Sequence, residues 1–292
     1  MPKRKIAVLT DSACDLPVDL AEKSGVDIMN FEITVDGESY TERQDFTFDE
    51  YYEMLRTCEK VPATAHVTMP RFLAQFEAYD DEGLEQVLYV SINASGSATN
   101  DAAVMAEREF RQQRPGSRLK ITIVDSRTYS VSYGWYVTEA ARKLNNGAEM
   151  GDVVEWLKDK FSRVEIALAA YSLRFMKKSG RISAAAAFAG ELLGLRPIIS
   201  LIDGKSVVRK KVRGDKEVLP ALMEQAANNM DDTKEYMIGG TSQPIIDELA
   251  ALCKKKWKAE PLITFKLGAA VASNTGPDAI AIVYIGEKRE DV

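Results

Sequence analysis

The sequence predicts an α/β protein, with a mostly parallel α/β sheet domain followed by a smaller α+β domain. Three observations carry this. Short apolar runs alternate with amphipathic helical patterns through the first half, which implies crossover connections between parallel strands. A polar, glycine-bearing break, NNGAEMGD (145–152), interrupts that alternation. Beyond it, hairpin signals mix with helices. The expected domains are residues 1–160 and 161–292.

Each element has its own signal. KIAVLT (5–10) reads as a strand ending in TDSACDLP, where Pro17 suits a helix start and Gly25 a helix end. DIMNFEITV (27–35) reads as one strand, with Asp36-Gly37 as a hairpin turn into ESY. Helical spacing aligns Tyr51, Met54, Leu55 and Cys58, and then Phe72, Leu73, Phe76 and Tyr79. EQVLYV (85–90) is a strand, SINASGS follows it, and a helix then carries Met105, Ala106 and Phe110. KITIVDS (120–126) precedes a helix aligning Val137, Ala140, Ala141 and Leu144. After the break, Val153, Val154, Leu157 and Phe161 share a helical face, VEIALAAY (164–171) is a strand, and SLRFMKK is helical up to SGRIS (179–183). PIISLIDGKSVVRKKV (197–212) reads as a hairpin about Asp203-Gly204. Two helices follow, one bearing Leu222, Met223, Ala226 and Met230, the other Ile245, Leu249, Leu252 and Cys253. LITFKLG and AIAIVYIG close the pattern as strands.

Composition narrows the function. The 292 residues are 46% apolar and 28% charged, enough to bury a substantial core. A net charge of -6 gives a nucleic-acid partner no electrostatic support. The basic clusters RKKVR (209–213) and KKKWK (254–258) read as a solvated strand edge and the cationic last turn of a helix. Three scattered cysteines, Cys14, Cys58 and Cys253, indicate neither a disulfide framework nor a zinc site. The basic start MPKRKIAVLTDS lacks a signal-peptide apolar run, and no later run has transmembrane length. A cytoplasmic location without stable membrane insertion is therefore expected. The single histidine, His66, leaves a serine-hydrolase triad or a histidine metal site only that residue to use.

Small polar residues concentrate in five segments: TDSACD (10–15), PATAHVT (62–68), SINASGS (91–97), DSRTYS (125–130) and SNTGPD (273–278). All five read as loops after strands, and such loops gather at the carboxyl ends of a parallel sheet, where ligands bind. Hydroxyls and backbone N–H groups converging there suit one small anionic head group. No phosphate-binding glycine motif or nucleophile elbow is present. Ser95 as a nucleophile would need a base, and His66 alone is on offer. Arg181 reads either as the anion's charged partner or as a surface arginine beside a helix end. Asp11 and Asp125 resemble metal carboxylates but, ending strands before serine, read better as helix caps. The Ala184–Ala187 run with Phe188 admits a neighbouring helix or a long apolar ligand.

These segments together resemble the DegV family of fatty-acid-binding proteins over the whole length. TDSACDLP is similar to T-D-S-x-x-D-L-P, and PATAHVT keeps Pro62 and Thr64 of P-x-T-S-Q-P-S, with Thr68 a conservative change. SINASGSATN keeps Ser91, Ser95 and Gly96 of the S-S-x-L-S-G-T segment, with Ser97 for Thr. DSRTYSVSYG, LRFMKKSGRIS, ELLGLRPIIS and SNTGPDAIAI resemble the remaining motifs in order. The resemblance implies a non-enzymatic carrier with no cofactor other than a bound long-chain fatty acid, held in a tunnel that the second domain closes. It implies a fatty acid kinase as partner. Carried over, the head-group residues are Thr64, Ser95 with Gly96, and Arg181. Asn274 stands where the family has histidine, Ala65 lacks the family serine's hydroxyl, and His66 takes the glutamine's place, where it could supply the missing imidazole. Three alternatives stay open: a dihydroxyacetone-kinase-like enzyme, an acyl hydrolase using Ser95, and a carrier of another amphiphile.

Overall fold

The structure, a computed structural model, describes residues 5–183 and 194–289. Its first sheet is parallel throughout. It comprises β1 (Ile6–Asp11), β2 (Val26–Met29), β6 (Gln86–Ser91) and β7 (Lys120–Asp125) in the order β2-β1-β6-β7. Covered strands of this kind need no alternation, and β1 and β6 are accordingly buried over five of their six residues. Helices α3 (Met69–Asp81) and α4 (Thr99–Gln113) pack together, and α5 (Val131–Asn145) lies against β1 and β2.

Between β2 and β6 the chain detours into a small antiparallel sheet. Strands β3 (Glu32–Val35), β4 (Glu38–Thr41) and β5 (Ala63–Ala65) form it in the order β4-β3-β5. DIMNFEITV is therefore two strands rather than one. The break falls at Asn30-Phe31, where the Phe31 N–H leaves the ladder to donate to Ser12 Oγ at 2.9 Å. PATAHVT likewise contains an edge strand, β5, and is not simply a loop. The Asp36-Gly37 turn has both central residues at positive φ, 48° and 98°, the geometry whose twist suits a two-residue hairpin.

The third sheet has six strands in the order β10-β9-β8-β13-β11-β12: β8 (Val164–Ala170), β9 (Leu195–Ile202), β10 (Lys205–Arg213), β11 (Tyr236–Gly240), β12 (Thr264–Lys266) and β13 (Ala279–Ile285). RKKVR lies on β10, the edge strand, and LITFKLG contributes only the short β12. Strand periodicity divides this sheet's side chains between two cores. Ile166, Leu168, Ala281 and Val283 face the core shared with the parallel sheet. Their neighbours Ala167, Ala169, Ile280 and Ile282 face a second core, filled by α8 (Val218–Ala227) and α9 (Gln243–Trp257).

Some helical faces differ from the sequence expectation. Met105 is 55% exposed and Leu252 38%, while Ala106, Phe110, Leu249 and Cys253 are buried. Met230 falls beyond the end of α8 and bridges to Gly286. SNTGPD is not a loop after a strand. Its first three residues finish helix α10 (Ala269–Thr275), which leads into β13. The Ala184–Ala187 run, Phe188 and the start of ELLGLRPIIS lie outside the described residues.

Candidate functional site

A cavity of about 440 Å3 lies between the carboxyl ends of the parallel strands and the inner face of the six-stranded sheet, within the range of about 300–1,000 Å3 common for small-molecule sites. Its apolar wall follows from the alternation in β8, β9 and β13, through Ile166, Leu168, Leu201, Ala281 and Val283. Phe265 of β12 and Phe31 extend that surface. The opposite wall is polar and brings together segments far apart in the sequence. Thr64 and His66, Ser95 through Ala98, Tyr129 and Ser130, Arg181, and Asn274 all line the space.

Of the residues singled out from the sequence, Thr64, Ser95, Gly96, Arg181 and Asn274 thus share one cavity, and His66 joins them. Ala65 does not line it. On β5, alternation turns Thr64 and Ala65 to opposite sides, with Thr64 paired with the buried Ile33 and Ala65 with Glu32.

Hydrogen bonds fix the SINASGS loop from within. Asn93 Oδ1 accepts from Ser95 N at 3.2 Å and Ser95 Oγ at 3.1 Å, and the Gly96 N–H donates to Asn93 O at 3.1 Å. Ser97 Oγ accepts from the Thr99 N–H at 3.4 Å at the mouth of α4. Much of the donor set expected to face an anion, the Ser95 hydroxyl included, is therefore engaged inside the loop. Gly96 has no room for a side chain, because a Cβ there would stand 2.5 Å from the Tyr129 hydroxyl oxygen.

Asp11 and Asp125 are not helix caps by their side chains; they tie loops together. Asp11 accepts from the Tyr133 hydroxyl at 2.7 Å, the Ile92 N–H at 3.0 Å and the Tyr89 hydroxyl at 3.1 Å. Burial pushes its carboxyl up to about 6 despite those bonds, which favour the charged form. Asp125 Oδ1 accepts from Ala94 N at 3.0 Å and Arg127 N at 2.9 Å, so β7 holds the loop that follows β6.

Helix α10 is anchored in the same manner. Glu42, fully buried, accepts from Ala270 N at 3.0 Å and from the Ser12 hydroxyl, while Ser130 donates to the buried Asp15. Desolvation raises both carboxyls, that of Asp15 well above the ordinary range. Tyr51 of α2 (Phe48–Thr57) meets Ser273 at 2.6 Å, and Tyr52 donates to Leu267 O. Asn274 donates through Nδ2 to Ala270 O at 2.7 Å on its own helix while lining the cavity.

Arg181 is exposed at the rim, its Nη1 donating to Ser179 O at 2.8 Å, and its charge reaches the Tyr129 hydroxyl. Asp101, in the first turn of α4, adds an acidic group to the lining. Neither Asp101 nor Tyr129 stood out in the sequence, and Glu42 gave no signal there. Only Tyr129 lay inside a segment, DSRTYS, whose composition marked it. Among the described residues, no group of three or more His, Cys, Asp or Glu could hold a metal ion, and no helix is long and apolar enough to cross a membrane.

Comparison with known proteins identifies the architecture. A family model described as "Uncharacterised protein, DegV family" matches residues 5–287. The chain belongs to the DegV family. A DegV domain-containing protein of Caldanaerobacter subterraneus subsp. tengcongensis is 27% identical over 96% of this chain and 98% of its own length. Among solved structures, a fatty-acid-binding DegV family protein from Thermus thermophilus matches with a TM-score of 0.81 at 26% identity, covering 97% of this chain and all (100%) of the other. A stearic-acid-binding protein from Eubacterium ventriosum gives a TM-score of 0.86 at 24% identity, covering 97% of this chain and 98% of its own, a likeness of fold alone.

Proposed function

We propose that this DegV protein is a non-enzymatic, cytoplasmic carrier of one long-chain fatty acid. The acyl chain occupies the cavity against the six-stranded sheet, and the carboxylate sits at the polar rim. Lobes at residues 1–160 and 161–292 both contribute to that cavity, the second supplying the apolar sheet and also Arg181 and Asn274 at the polar rim. Thr64, Ser95 with Gly96, Arg181 and Asn274 hold the head group, while Ala65 shapes the strand beside them. The observation that carries this reading is the pairing of one apolar wall with one rim of hydroxyls, an amide and a guanidinium. Burying ~14 methylenes at about 0.8 kcal/mol each gives roughly 11 kcal/mol gross, before the costs of association. A charge-assisted hydrogen bond contributes about 1.5–3 kcal/mol. The chain therefore dominates affinity, and the rim decides which end faces outward. An outward carboxylate suits a fatty acid kinase as the recipient.

Denaturing mass spectrometry of the protein as purified from a bacterial host tests the reading. A released species at fatty-acid mass is expected. Failure to carry one, together with failure to take up added palmitate, would overturn it. The acyl-hydrolase alternative has less support: Ser95 Oγ donates to the Asn93 amide oxygen, a poor proton acceptor at neutral pH. Release of p-nitrophenol from an acyl ester, lost in Ser95→Ala, would restore it.

A further inference from the structure

We propose that Asn93 and Tyr129 are positioning residues that hold the Ser95 hydroxyl in place at the rim for the ligand's head group and couple it to the hairpin turn of the six-stranded sheet. The inference rests on the carrier reading above. The direction of the relay is set at both ends by backbone groups, which cannot exchange roles. At one end the Ser95 N–H must donate, so Asn93 turns its amide oxygen toward it at 3.2 Å. The Asn93 Nδ2 then faces the other way and donates to the Tyr129 hydroxyl at 2.7 Å. At the far end the Gly204 carbonyl can only accept, and it receives the Tyr129 proton at 3.3 Å. Burial holds the Tyr129 hydroxyl above its ordinary value, so it keeps that proton at neutral pH.

Two glycines make room for the relay. A Cβ on Gly96 would stand 2.5 Å from the Tyr129 oxygen, and one on Gly204 would stand 2.1 Å from Asn93 Nδ2. The same turn is fixed from its other side, where Arg127 Nη2 meets Asp203 Oδ2 at 2.7 Å. With Asn93 Oδ1 already taken by the Ser95 N–H, the Ser95 hydroxyl has two uses for its proton. It donates to Oδ1 when the rim is empty and swings to a carboxylate oxygen when one arrives. Tyr129 and Gly96 both line the cavity, so the relay touches the space it serves. Its specificity is for an acceptor head group: a carboxylate receives the serine proton and the Arg181 charge together, and a fatty alcohol of the same length forgoes the charge.

The test compares palmitate with hexadecanol in the intact protein, by calorimetry or ligand displacement. Tyr129→Phe keeps the ring and removes the relay hydroxyl, and Asn93→Ala removes its centre. Either variant should lower the preference for palmitate over hexadecanol by roughly 3- to 10-fold, with hexadecanol affinity little changed. In ligand-free protein, Tyr129→Phe should also shift the Asn93 side-chain amide and Ser95 backbone amide resonances, a readout independent of any lipid. If wild-type protein prefers palmitate and both variants keep that preference, the relay is overturned while the carrier reading stands. If wild-type protein binds neither lipid, the carrier reading has failed and takes the relay's function with it.

Discussion

The two walls of the cavity are built on opposite rules. The six-stranded sheet presents a wall of alternate aliphatic side chains whose positions follow from strand periodicity alone. The wall at the ends of the parallel strands is held from behind by buried polar groups, Asp11, Asp15, Glu42, Ser12 and Ser130, each placed by specific hydrogen bonds to residues far along the chain. The first wall is governed by volume and the second by ionisation. A site for an amphiphile needs both, and each fails under a different perturbation.

The strongest way to sharpen that contrast is to compare the sheet's two faces. On the filled face, Ile246 of α9 and Ile282 of β13 are fully buried. Ile246→Ala should cost about 2–5 kcal/mol, read as a fall in the urea midpoint. On the cavity face, Leu168→Ala should cost less, because the space beside it is already partly open, and should change acyl-chain preference instead. Equal losses on the two faces would break the comparison.

Ionisation tests the other wall. The ordinary carboxyl value of Asp11 is 3.8, and burial raises it to about 6 in the fold. A raised folded value means that this group's contribution to stability is fully present below the unfolded value and is lost as pH rises through about 6. Between pH 4 and 7 that loss is on the order of 2–3 kcal/mol. Asp11→Asn should flatten this part of the stability profile, whatever it does to the absolute level. If urea titrations of Asp11→Asn give the same change in stability between the two pH values as the wild type, Asp11 keeps its charge throughout.

Smaller effects concern the rim and its floor. Arg181→Ala should weaken palmitate binding by roughly 10-fold, the exposure of this side chain reducing the value of its charge, while the melting temperature stays within about 1 °C. Undiminished binding would remove Arg181 from the head-group set. Ala281→Leu adds bulk to the cavity face and should change stability by under about 1 kcal/mol while excluding the longest chains. The same substitution at the neighbouring Ala169, on the filled face, should cost about 1–3 kcal/mol.

How much of this was legible in the sequence divides along the same line. Strands, hairpins and helix faces were legible because each depends on neighbours a few residues away. Asp203-Gly204, for example, turns at φ 50° and 71° as its composition demands. Which face of AIAIVYI would be covered by α8 and α9 was not, because both faces carry equally apolar side chains. The break inside DIMNFEITV was invisible, since Phe31 leaves its strand for a hydroxyl 19 residues away. The proposed head-group residues came from motif resemblance, and the structure brings Thr64, Ser95, Gly96, Arg181 and Asn274, though not Ala65, into one cavity. Asn274 was read as a loop residue because its polar neighbours look like a turn, whereas they end a helix.

Helix α10 supplies a last consequence, in the order of events during folding. It carries Asn274 into the rim, yet its anchors, Glu42, Tyr51 and Tyr52, come from the early part of the chain, Tyr51 and Ser273 lying 222 positions apart. Contacts so remote in sequence close late and slowly. While the chain is being made, the parallel sheet can assemble before α10 brings Asn274 to the rim and before β13 completes the apolar wall. Binding competence should therefore await residues 267–285, and loss of that segment should abolish lipid retention before it abolishes the parallel sheet.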